Sequence, residues 1–211
     1  MQSSKFLIVA NSIDLLVSPM NTKAISLTIT FAALTIALDP IRVPSVILPG
    51  VYFRFCEIII VVAFLLLGSV IAISIAALNT LVEIILFPGP AVLVGRPLVF
   101  FLTLCMLFGI YLAGKLLKHK ALQNPNHKVK PVLYFTALGA LLRAAVAPLL
   151  NYPMWHFVVP ALAGIPLSFE QVMALMPAFM LYALVFCLYT IPIGYFVARV
   201  VGRSLRLGNL P

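Results

Sequence analysis

The stretch FRFCEIIIVVAFLLLGSVIAISIAALNTLVEIILF, residues 53–87, is apolar almost throughout and is interrupted once, at Gly68-Ser69. The run from Ile58 to Leu67 is apolar on all sides, without the two-residue alternation of a barrel strand, so it reads as helix. Two helices joined by a tight turn suit a bilayer, where every backbone N–H and C=O must find a partner inside its own segment. The same stretch holds Glu57, Asn79 and Glu83. A charge at the centre of a membrane helix costs about 2.5 to 3.5 kcal/mol on insertion scales, so such residues face a protein interior or a wet cavity.

The rest of the chain repeats this pattern. Of its 211 residues 64% are apolar and 9% charged, and the mean hydropathy of +1.18 excludes a soluble domain. Apolar runs near 20 residues long match the rise needed to cross about 30 Å of hydrocarbon. Six transmembrane helices are expected, near 23–39, 53–68, 70–87, 96–117, 131–150 and 172–199, in an all-α membrane protein. Breakers separate them: Asp39-Pro40 through Pro49-Gly50, Gly68-Ser69, Pro88-Gly89-Pro90, Gln123 to Asn126, and Pro160 through Pro166. Pro177 and Pro192 can kink the last span without ending it. One domain covers 23–203, preceded by a short segment, 1–22, read as a helix lying at the membrane surface, and followed by a tail, 204–211.

Basic residues orient the chain, because loops retained in the cytoplasm carry excess Lys and Arg. Lys5, Lys23, Lys115, Lys118, Lys120, Lys128, Lys130, Arg199, Arg203 and Arg206 fall on one side, whereas Arg42, Arg54 and Arg96 fall on the other. Both termini are therefore expected in the cytoplasm of a multi-pass protein of the cell membrane. The formal net charge of +9 calls for no nucleic acid, since anionic headgroups of the lipid bilayer suffice as partners for clusters that border spans.

This orientation carries the unusual polar residues to one face. Glu57, Asn79, Glu83, Arg96 and Arg143 fall toward the outer ends of their spans, near Asn151, Tyr152, Trp155 and His156, with Tyr182 as a further ring. Together they are the candidate substrate-binding residues of a cavity open to the outside. Simpler readings stand beside this one. Arg54 and Glu57, three apart, could form a helix ion pair; Arg143 could bridge to Glu83 or Glu57; Tyr152 and Trp155 could be interfacial aromatics. Such a pocket suits a small polar or aromatic solute, and Glu57 or Glu83 with Trp155 could equally serve a cation.

On the first span Ser26, Thr30, Ala33 and Ala37 recur at i, i+4, i+7 and i+11, one smooth face of small residues beside a second stripe of Ala24, Thr28 and Ala32. Small residues let helix backbones approach closely in lipid. The face packs either against another span or against a different membrane subunit. There is no GxxxxGK[ST] run, so the chain holds no P-loop and any energy must come from partners. Cys56, Cys105 and Cys187 lack CxxC spacing, and His119, His127 and His156 make no metal set; no metal, cofactor or enzymatic activity is expected.

Four segments carry a family resemblance: TKAISLTITFAALTIAL with Ala33 and Ala37; ILPGVYFRFCEIIIVVAFLLLGSVIAISIAALNTLVEIILFPGP; NYPMWHFVVPALAGIP; and YTIPIGYFVARVVGR. In their order, and from about Lys23 to Arg203, the chain resembles the substrate-binding S components of energy-coupling factor (ECF) transporters. The resemblance implies a six-helix subunit that binds a vitamin with high affinity at the outer side. It also implies docking, through small residues of the first helix, to a transmembrane coupling subunit joined to two cytoplasmic ATPase subunits. Ala33 and Ala37 match the family's small-residue motif, and pocket residues match by region only. NYPMWHFVVP is similar to the corresponding region of riboflavin-type members, which makes riboflavin the favoured vitamin, with thiamine or its pyrimidine and pantothenate open. The alternative from another class is a noncatalytic structural subunit of a membrane enzyme complex; a lipid-metabolising enzyme is a third.

Overall fold

A computed structural model describes residues 22–48, 51–123, 131–163 and 168–204. The elements are α1 (Thr22–Leu38), a hairpin of β1 (Arg42–Pro44) and β2 (Tyr52–Arg54), α2 (Cys56–Leu67), α3 (Ser69–Leu86), α4 (Pro90–Gln123), α5 (Pro131–Pro153), a π-helical turn (Met154–Val158), α6 (Val159–Ala163) and α7 (Phe169–Ser204). The expected surface helix before Thr22, most of the basic loop after α4 and the C-terminal tail lie outside the described residues.

Each expected span holds a helix, but four are long and apolar enough to cross a membrane: Ser69–Leu86, Val92–Leu117, Pro131–Leu162 and Phe169–Gly202. The chain is a multi-pass membrane protein. α1 has 17 residues and α2 has 12; at 1.5 Å per residue α2 rises about 18 Å, short of the roughly 30 Å core. Among the described residues, then, four helices of span length stand beside two shorter apolar ones. No residue of α2 is exposed, so it is a core helix, packed against α1, α3 and α7. It begins at Cys56 and not at 53 because Tyr52–Arg54 is a strand. α4 begins at Pro90, six residues before the expected start, since a first-turn proline lacks only an N–H that had no helical partner.

The turn between α2 and α3 rests on Gly68, whose φ of 97° lies where a Cβ would clash. Two glycines set the α4–α5 crossing. A Cβ on Gly109 would lie 2.5 Å from the Leu138 carbonyl oxygen and 2.7 Å from Gly139 Cα, so these backbones touch. A Cβ on Gly139 would meet Ile191 Cδ1 at 2.6 Å, the movable tip of a side chain. Gly109→Ala is therefore expected to destabilise by about 1–3 kcal/mol, lowering the melting temperature in detergent by several degrees. Gly139→Ala should cost less, and Gly95→Ala, whose nearest neighbour is Met154 Cε at 3.9 Å, least. Thermal melts of the three variants check that order.

Asp39 after α1, Glu57 at the start of α2, Glu83 near the end of α3 and Arg96 near the start of α4 meet at one end of the bundle. These helices thus run alternately in opposite directions, and the β1–β2 hairpin covers the end where the charges gather. Its register pairs Arg42 with Arg54, Val43 with Phe53 and Pro44 with Tyr52.

Candidate functional site

The buried charges at the hairpin end fall into two groups. The deeper is a closed pair. Arg143 donates from Nη1 to Glu57 Oε2 (2.5 Å) and from Nη2 to Glu57 Oε1 (3.3 Å), and the Thr103 hydroxyl donates to Glu57 Oε2 at 3.0 Å. The guanidinium also sits 4.1 Å from the centroid of the Phe186 ring, a favourable cation–π placement. Both side chains are under 5% exposed. Of the partners open to Arg143 in the sequence, the structure selects Glu57.

The second group lies beneath the hairpin. Arg96 contacts Glu83 and lies 3.3 Å from Asp39 Oδ2. Arg42 donates to Asp39 Oδ2 at 2.8 Å and stands 3.8 Å from Glu83 Oε1. Arg54 stands 3.7 Å from Glu83 Oε2. It does not take Glu57, the i, i+3 partner that the sequence allowed, because it ends a strand and lies outside α2, in whose first turn Glu57 sits. The Cys56 thiol donates to Asp39 Oδ1 at 3.3 Å. Burial opposes ionisation of Asp39, whereas the Arg54 charge, the Cys56 thiol and the Arg42 charge favour it, and the carboxyl lies below its usual value.

Between the two groups lies a cavity of about 20 Å³, roughly the room of one water. Glu57, Asn79, Glu83 and Arg96, four of the residues singled out in the sequence, line it together with Arg54, Thr103 and Cys56. Asn79 and Glu83 share one face of α3, four residues apart, and the Asn79 Oδ1 and Glu83 Oε1 atoms are buried without a hydrogen-bond partner among the described residues.

The remaining candidates stand apart from this cavity. Tyr182 donates its hydroxyl to the Tyr52 carbonyl at 2.7 Å, and its ring stacks on Phe53 at 4.9 Å. It therefore anchors the hairpin to α7. Tyr152 and Trp155 pack in an apolar cluster with Leu48, Val172, Met176 and Phe179, His156 stacks on Tyr152 at 5.4 Å, and Asn151 donates to the Ala147 carbonyl at 2.8 Å. The π-helical turn that carries Trp155 and His156 is a local departure of the sort often found at functional positions. Asp39, Arg42 and Arg54 were not among the expected site residues; the one signal for Asp39 was an acid placed directly after an apolar span.

The small face of α1 is open. Ser26, Thr30, Ala33 and Ala37 are all exposed, whereas Phe31, Ala32 and Thr35 are buried against the bundle. Intramolecular packing thus uses the other side of the helix.

No family model and no curated protein sequence matches the chain. Its fold is that of a solved S component of a bacterial ECF transporter: the two superpose with a TM-score of 0.62 at 20% sequence identity, over 85% of this chain and 97% of that one.

Proposed function

We propose that the chain is the substrate-binding subunit of an ECF-type importer and captures a vitamin or related micronutrient at the hairpin end. In this reading the hairpin end faces the outside and both termini face the cytoplasm. The observation that carries it is the concentration of buried charge, a polar cavity and an aromatic cluster at one end of a bundle with the S-component fold. Arg54, Asn79, Glu83 and Arg96 contact the solute, Glu57 and Arg143 form the floor, and Tyr152, Trp155, His156 and Tyr182 supply the aromatic side, with Asn151 beside them. A solute larger than water enters only when the hairpin and the side chains around the cavity give way. The exposed face of Ser26, Thr30, Ala33 and Ala37 docks to a transmembrane coupling subunit, which couples to cytoplasmic ATPase subunits. Riboflavin, favoured by the sequence resemblance, gains no selecting group from the geometry.

The test is purification of the chain alone in detergent, native mass spectrometry for a co-purifying small molecule, and thermal shifts against a vitamin panel. At least one vitamin is expected to raise the melting temperature by several degrees, as binding to the folded state alone requires. No response to any vitamin, with stoichiometric purification alongside a membrane enzyme, would sink the reading.

A further inference from the structure

The charges beneath the hairpin do not balance. Three guanidiniums, Arg42, Arg54 and Arg96, face two carboxylates, Asp39 and Glu83, while Glu57 is already matched by Arg143. The surplus can be assigned to one residue. Asp39 Oδ2 takes Arg42 and Arg96, Asp39 Oδ1 takes the Cys56 thiol, and Glu83 Oε2 takes Arg96. Arg54 is left with Glu83 at 3.7 Å, beyond hydrogen-bond reach, and its guanidinium makes no hydrogen bond among the described residues. Its side chain is only 18% exposed.

Arg54 is also aimed by its surroundings. Phe53 before it stacks on Tyr182, Phe55 after it packs against Tyr189, and the Tyr189 hydroxyl donates to the Arg54 carbonyl at 3.3 Å. The strand is thereby pinned to α7, and the Arg54 side chain lines the cavity with α3 and α4. In the same cavity Asn79 is 6% exposed, and its Oδ1 is without a donor among the described residues. A planar fork of N–H donors matches a carboxylate or phosphate, and a buried amide oxygen requires an N–H or O–H.

We infer that Arg54 is an anion-recognising residue of this cavity, and that its ligand is a small organic acid carrying an O–H or N–H donor near the acid group. The inference rests on the proposed capture of a micronutrient and narrows its chemical class. It ranks acids above neutral riboflavin and above cationic thiamine. Asp39 and Glu83 are both paired with arginines, so the balance of charge around the cavity favours an anion over a cation.

The test uses the full chain in detergent and matched pairs that differ in the acid group: pantothenate and pantothenol, whose acid carries amide and hydroxyl donors, and, as acids without a donor beside the carboxylate, biotin with biotin amide and nicotinate with nicotinamide. Riboflavin and thiamine complete the panel. Binding is measured by calorimetry, with and without phosphatidylglycerol in the micelle. One acid is expected to bind at least about tenfold more tightly than its neutral partner, the scale of one charge-assisted hydrogen bond. Arg54→Gln should bring that ratio toward one, and Arg54→Lys should restore part of it. The ratio is read within one folded variant, so a general loss of stability does not imitate the effect. Tight binding of riboflavin or thiamine without preference for any acid overturns the anion assignment and leaves micronutrient capture standing. An effect of Arg54→Gln seen only with phosphatidylglycerol, and no discrimination among solutes, would make the anion a lipid headgroup and overturn the assignment. Binding of nothing in the panel overturns both.

Discussion

Arg143→Met is expected to destabilise the folded protein by about 3–5 kcal/mol, and Glu57→Gln introduced into the same chain is expected to return most of that loss. The reason lies in what each substitution leaves behind. With Arg143 removed, the Glu57 carboxylate remains under 5% exposed and keeps one donor, the Thr103 hydroxyl. A buried charge with so little compensation costs more than the intact pair contributes, because the desolvation of both ions was offset by their mutual attraction. The double variant removes both charges. Gln can still accept from Thr103, and Met occupies the space beside Met106 Sδ, which lies 3.6 Å from Arg143 Nη1. A double-mutant cycle on melts in detergent gives the coupling directly. Additive losses would mean that Glu57 and Arg143 do not act as a unit, and would return Glu57 to the list of solute contacts.

That pair also marks how far the sequence could be read. An Arg within Leu141, Leu142 and Ala144 to Ala147 announces a buried cation, and the two acids nearest in depth, Glu57 and Glu83, were its natural partners. Choosing between them needed the rotation of α5 about its axis, which composition does not record. The helices were legible because a long apolar run has few alternatives in lipid. The hairpin was not. Its strands, Arg42–Pro44 and Tyr52–Arg54, are three residues each, too short to show alternation, and one contains a proline. Missing it displaced the start of α2 and left Arg54 on the same helix as Glu57, where an ion pair between them was one open reading. Asp39 was hidden for a related reason: in Asp39-Pro40 it read as punctuation, though it accepts from Arg42, Arg96 and Cys56. Tyr152, Trp155 and His156, around the end of α5, are divided from the polar cavity, and that division depends on Phe53 and Leu48, which the hairpin carries inward against α7.

Ala33→Trp is expected to reduce uptake to background while leaving solute affinity in the isolated chain within about twofold. Ala33 is exposed on α1 and lines neither the charged cluster nor the cavity, so an indole there meets lipid in the free subunit and disturbs neither folding nor binding. In a complex the same indole would stand between two helices. Interfaces built from small residues depend on close backbone approach, and a large ring holds the helices apart. Leu188→Trp is the control. Leu188 is 60% exposed on α7, and replacing one large apolar group by another there should leave uptake intact. Three measurements decide the matter: uptake in cells carrying the coupling partners, co-purification with those partners, and solute affinity in detergent. Loss of uptake and of co-purification in Ala33→Trp alone assigns the face to docking. Equal loss in Leu188→Trp would remove any special role from α1. Lost affinity with intact assembly would mean that the small face serves the solute site, and the partner surface would have to lie elsewhere on the bundle.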